Sequence, residues 1–139
     1  MNPVNTYKDM QPFAGCIVAY QTKSYSFSDS FSFDDEPEVK FGTVSNMTSR
    51  FQGIGDAEDR TGFMLYEFLK PKSTIMHHGM TKSELERHAL TMRAASPDEI
   101  DKLRSAIDLG KASHCHLSRW GLDWEKLKEL AEKHFAERI

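Results

Sequence analysis

TGFMLYEFL, residues 61–69, is a compact run of apolar and aromatic residues with threonine at its head, and its reading decides the fold. A run of this length and composition, bounded by polar residues on both sides, reads as a β-strand. Three shorter stretches upstream share its character: FAGCIVAY at 13–20, the serine-aromatic segment at 24–33, and VKFGTV at 39–44. Glycine and acidic residues punctuate them, and the short connections favour antiparallel pairing.

The serine-aromatic segment, SYSFSDSFSF, sets Tyr25, Phe27, Phe31 and Phe33 at odd positions with Asp29 at its centre. In an extended chain the odd positions share one face, and Asp29-Ser30 offers a turn that folds the stretch into a short hairpin. The rings are then expected in the core or on a partner-facing wall. A base-stacking platform would need basic neighbours. Lys23 is the one at hand, and the charged DDEPE segment at 34–38 follows as a solvated loop.

From residue 81 the apolar period becomes that of helices. Thr81-Lys-Ser-Glu84 has capping-box spacing, followed by Leu85, Ala89 and Met92 on one face. Ser96-Pro97-Asp98-Glu99 is a stronger start, with Ile100, Leu103 and Ile107 lining one stripe until Gly110. Residues 113–120 suit a short helix stopped by Gly121, and Asp123 can cap a last helix burying Trp124, Leu127, Leu130 or Ala131, and Phe135.

Strands first and helices afterwards imply α+β architecture. The expectation is one domain over 1–139: an N-terminal antiparallel sheet of about four strands, with a C-terminal array of three to four helices covering one face. The first part (1–70) is β-rich and acidic, the second (71–139) helical and histidine-rich. Gly42, Gly53, Gly55 and Gly62 permit the bends of a small barrel.

The formal charge of −3 is unevenly spread: residues 1–70 carry six Lys/Arg against ten Asp/Glu, residues 71–139 twelve against eleven. Neither half is basic enough to attract phosphate backbones by net field, so nucleic acid is not the expected partner. Two cysteines far apart suit a reducing compartment. With no secretory leader pattern and no run of about 20 apolar residues, the sequence reads as soluble and cytoplasmic, with no membrane association.

Four constellations bear on chemistry. Imidazoles and a thiol at His77, His78, His88, His114, Cys115 and His116 are good ligands for zinc or another divalent transition metal if three or four converge. Their spacing matches no HExxH or paired CxxC pattern. Neither cysteine has a nucleophile signature, and a buried inert thiol is the default. GIGDAED at 53–59 lacks the lysine and third glycine of a phosphate loop and reads as an acidic turn. Helices near 97–109 and 113–120 have helix-turn-helix spacing, with Arg119 and Lys111 as a thin basic flank.

Trp120 and Trp124, four apart around Gly121, either pack on the core or anchor a partner together with Arg119. With no complete catalytic set, the expected function is a non-enzymatic binding or regulatory accessory protein that needs no cofactor. It would act on another protein carrying a basic surface, and self-association is compatible with it. Its partner-facing residues are Trp120, Trp124, Arg119, Tyr25 and Phe27. The alternatives are a metal-dependent enzyme such as a hydrolase, built on the histidines, and a helix-turn-helix DNA-binding protein.

Overall fold

A computed structural model describes residues 1–73, 77–114 and 122–136. The strand read from TGFMLYEFL is β5 in chain order, Thr61–Leu69, and it is the hub of the molecule. The preceding strands are β1 (Asn2–Pro3), β2 (Ile17–Gln21), β3 (Lys40–Val44) and β4 (Ser49–Arg50); β6 (His77–Met80), β7 (Thr91–Ala94) and β8 (Ser113–His114) follow. Four of them pair with β5, namely β3, β4, β6 and β8, and Ser30 forms an isolated bridge to Leu69. Beyond β3 the sheet continues through β2 and β7 to β1, and every pairing is antiparallel.

The described sheet therefore has eight strands rather than four, and it is not confined to the front half. Pairing of β7 with β1 and β2 stitches the two halves of the chain together. The misread segment is residues 89–94. Leu85, Ala89 and Met92 have helical spacing, but the helix ends at His88, where Ala89 takes a left-handed conformation (φ 49°), and Met92 belongs to β7.

The helices are α1 (Tyr7–Met10), α2 (Lys82–His88), α3 (Pro97–Asp108) and α4 (Trp124–Ala136). They are neither all C-terminal nor all on one face. β2 explains why: in IVAY every residue is buried, and alternate side chains point to opposite sides. Ile17 and Ala19 join Phe41, Phe68, Ile100 and Leu103 of α3, and Leu127 of α4, in one core. Val18 and Tyr20 join Phe63, Leu65, Met10 of α1 and Leu85 of α2 in the other. Each fully buried large apolar side chain contributes about 1.5–3 kcal/mol, so both faces require cover.

The serine-aromatic segment divides between these cores and is not a hairpin. Residues Tyr25–Phe27 form a 3-10 turn capped by the Ser24 side chain. Phe27 is buried on the α1/α2 side, whereas Phe31 and Phe33 pack on the α3/α4 side, Phe33 edge-on to both Phe31 and Phe41 at 5.2 Å. Tyr25 is 93% exposed.

The Ser96 start signal is realised in full: its side chain accepts from the Glu99 amide (3.1 Å), and Glu99 accepts from the Ser96 amide (2.9 Å). Glu99 also takes two bonds from the Arg93 guanidinium, at 2.6 and 2.9 Å, which locks α3 to β7. No helix among the described residues is long and apolar enough to cross a membrane.

Candidate functional site

Two features stand out from the core: a sealed polar network on one face of the sheet and an open cleft on the other. The network centres on Glu67. Along β5 the side chains of Phe63, Leu65 and Glu67 point the same way, and the register Val18↔Gly42↔Glu67 puts that face under α1 and α2. Glu67 is only 1% exposed. Its Oε1 accepts from the Ser30 hydroxyl and, at 3.3 Å, from the Tyr20 hydroxyl. His78 Nε2 lies 3.2 Å from Oε2, within ion-pair reach but without hydrogen-bond alignment.

Phe27 forms the wall of this network, 4.4 Å from the His78 ring and 4.9 Å from that of His88. His88 is fully buried; its Nε2 meets Glu84 at 3.1 Å, while Nδ1 has no partner among the described residues. Burial pushes the His88 imidazole below its ordinary pKa, against the opposing pull of Glu84. Burial, reinforced by the neighbouring Glu67, pushes the Tyr20 phenol well above its usual range. With Tyr20, Ser30 and Glu67 all closed off from solvent, the arrangement fastens β2, β5, β6 and the 25–30 segment together. His78, at the edge of the network, remains 16% exposed.

Of the remaining expected ligands, His77 and His114 do not join this cluster. His77 pairs in register with Tyr66 and so points to the opposite side of the sheet from His78, where it is exposed. His114 sits on β8 on the α3/α4 side, buried, with Nε2 3.0 Å from Thr43 Oγ1 and 3.2 Å from the Tyr66 carbonyl. The sheet thus separates His78 and His88 from His77 and His114. Among the described residues no group of three His, Cys, Asp or Glu is placed to hold a metal ion.

Cys115, His116, Arg119 and Trp120 lie outside the described residues. Of the other partner-facing candidates, Phe27 is buried in the core and Trp124 is half-buried with its ring 6.4 Å from Phe68, while Tyr25 faces solvent. The second helix of the expected helix-turn-helix does not begin at 113, because Ser113 and His114 are a strand paired with β5. Cys16 is buried, and burial raises its thiol pKa, in keeping with an unreactive core cysteine.

Sequence reading passed over Glu67, Tyr20 and Ser30. One signal was available: Glu67 shares the parity of Phe63 and Leu65, so a strand with that face inward buries a carboxyl. A buried carboxyl demands donors.

The second feature is a cleft of about 950 Å³ between residues 31–34, the end of β5 and the C-terminal half of α3. Lys102, Ser105, Ala106 and Leu109 line it at helical spacing, so one stripe of α3 faces the cleft while Ile100 and Leu103 face the core. Leu109 is 70% exposed. Asp34 lines it from the 31–34 segment, Lys70 from the end of β5, and Lys102 and Lys111 from α3 and the turn that follows it. Asp101 is neutralised by Lys128 at 3.0 Å, and Lys70 donates to the Ser28 carbonyl at 3.1 Å. Among the described residues Asp34, Lys102 and Lys111 make no ion pair.

No protein-family model, curated protein or solved structure matches the chain. The functional reading therefore rests on geometry and chemistry alone.

Proposed function

We propose that the chain is a small binding protein without catalytic activity, an accessory or regulatory factor that docks on another protein through the cleft at the C-terminal end of α3. The observation that carries this reading is Leu109. A large apolar side chain left mostly in water, in a concave site rimmed by charges of both signs, has the anatomy of an interface centre with a polar rim. The adjoining turn supports it: Asp34, Asp35, Glu36 and Glu38 are exposed and enter no ion pair among the described residues. Carboxylates held in this way suit a partner that presents basic side chains.

The turn is also preorganised, which lowers the ordering cost of binding. Val39 is buried beneath it, the Glu36 amide donates to the Phe33 carbonyl at 3.0 Å, and the Val39 amide donates to the Glu36 carbonyl at 3.1 Å.

The test is affinity capture from host extract with wild-type chain and with Leu109→Asp, both checked for native circular dichroism. A partner retained by the wild type and lost from the variant is the expected result. Identical capture by both folded proteins overturns the assignment of the cleft. The metal-dependent alternative has a single observation in its favour, the 3.2 Å approach of His78 to Glu67 with the His88 ring 6.2 Å from that of His78. Stoichiometric metal in untagged protein, lost in His78→Ala, would favour that reading instead.

A further inference from the structure

We infer that the segment a partner seats in this cleft is acidic and apolar, with hydrophobic side chains lying over Leu109 and carboxylates directed at Lys102 and Lys111. The inference rests on the docking reading above and names the chemistry of what docks. The chain as a whole is negative, at −3, but the cleft lining is not. It holds Lys70, Lys102 and Lys111 against Asp34 and Asp101, and Asp101 is already matched by Lys128. Asp34 is thus the one unmatched carboxylate of the lining among the described residues, set against three ammonium groups. Lys40 reports the same local excess, since burial first, and then repulsion from Lys70, holds it below its ordinary pKa. An occupant that offsets this excess carries net negative charge. Asp35, Glu36 and Glu38 are exposed and do not line the cleft, so the cations that suit them come from parts of the partner outside the seated segment.

The backbone of α3 fixes where the carboxylates must lie. Lys102 and Leu109 are seven residues apart, two helical turns, so they share one stripe about 10 Å long. Between them Ser105 and Ala106 have short side chains that leave the floor low. Beyond Leu109 the helix closes on Gly110, whose φ of 72° is left-handed. There the Gly110 amide donates to the Ile107 carbonyl at 3.0 Å and the Lys111 amide to the Ala106 carbonyl at 2.8 Å. This pair of bonds folds Lys111 back onto the helix end, so a lysine is placed two turns before the exposed leucine and another just past it. Their backbone is set before any partner arrives, and only side chains remain to be ordered. A wholly apolar segment would take both ammonium groups out of water without a partner, and a basic one would be repelled.

Nuclear magnetic resonance of the nitrogen-15-labelled full chain tests this with two unlabelled peptides, added up to about 2 mM. One has leucines and a phenylalanine between paired glutamates; its counterpart has lysine for every glutamate. The acidic peptide should shift the amides of Ser32, Asp34 and residues 105–111, bind at least about tenfold more tightly than the basic one, and weaken about tenfold between about 50 mM and about 500 mM salt. Leu109→Asp should abolish the shifts. Lys102→Glu combined with Lys111→Glu should exchange the preference, so that the basic peptide binds better. Amide positions unchanged outside 30–34 and 100–112 show that each variant is folded.

An acidic peptide that leaves the cleft amides unmoved overturns the inference. So does a basic peptide that binds the wild type as tightly, or a charge-reversed chain that keeps the wild-type preference. If the acidic peptide fails while Leu109→Asp still loses a host protein in the capture experiment, the acidic assignment falls and the docking reading stands. If it binds as expected while capture is identical for both chains, the charge preference of the cleft holds and the docking reading falls. If neither result appears, both fall.

Discussion

Replacing Glu67 by leucine tests whether the sealed network is a keystone of the fold. The substitution keeps an apolar volume in place but removes the acceptor shared by the Ser30 and Tyr20 hydroxyls, and the carboxyl beside His78. A buried hydroxyl left without its acceptor costs about 1–3 kcal/mol. The two hydroxyls are 3.4 Å apart and can turn toward each other, which rescues one donor and leaves the other, with the imidazole, unmatched. The expected loss is about 2–4 kcal/mol, or about 6–12 °C in melting temperature for a chain of this length.

Urea unfolding at neutral pH followed by far-UV circular dichroism measures it, with an unchanged denaturant slope showing that the unfolded state is not what moved. Glu67→Gln, which keeps an acceptor oxygen, should lose about 1 kcal/mol. The combined Tyr20→Phe, Ser30→Ala, Glu67→Leu chain should be more stable than the sum of its parts, because it removes donors together with their acceptor. A Glu67→Leu protein within about 0.5 kcal/mol of wild type would refute the reasoning, since that is the range of inconsequential surface substitutions.

Two further predictions follow from the same face of the sheet. Burial depresses the His88 pKa, so between that value and the ordinary value of about 6.5 the unfolded chain binds a proton that the folded chain refuses. The His88 contribution to stability is complete above about pH 6.5 and is lost as the pH falls through the folded pKa; urea midpoints measured from pH 8 to pH 5 should fall more steeply for wild type than for His88→Gln. At Gly62, on β5 beside the end of β6, a methyl group would lie 2.3 Å from the Met80 carbonyl oxygen and 2.9 Å from the Thr81 amide nitrogen. Gly62→Ala should therefore destabilise by about 1–3 kcal/mol in the same assay, and a neutral result would mean that β5 and β6 lie further apart than described.

How much of this was legible from residues follows their local chemistry. Strand β5 coincides with the TGFMLYEFL reading, and the Ser96 capping box and the Asp123 start of α4 were both encoded in a few adjacent side chains. The strands that were missed have no such signature. β6 is HHGM, whose two histidines and glycine are poor strand formers, and it is a strand because β5 offers it an edge. β7 is four residues long and begins where a helical period still fits, so tertiary pairing with β1 and β2 decided it.

The same distinction explains why the histidines misled. Chain spacing cannot tell which side of a sheet a residue takes until its element is known, and one step along β6 sends His77 and His78 to opposite faces. Once β6 is a strand, the four described imidazoles of the expected six-residue ligand set divide between the two sides of the sheet, and the acidic partner that His78 meets comes from β5. The cleft was hidden for a different reason. Lys102, Ser105, Ala106 and Leu109 form a stripe of ordinary helical spacing, with Ala106 bordering both cleft and core. Such a stripe acquires meaning only when residues 31–34 are brought beside it with the Asp34 carboxylate. The cleft brings Asp34, Lys102 and Lys111, which enter no ion pair among the described residues, beside an exposed leucine, and under the docking reading proposed above it is where substitutions should change binding while leaving the fold intact.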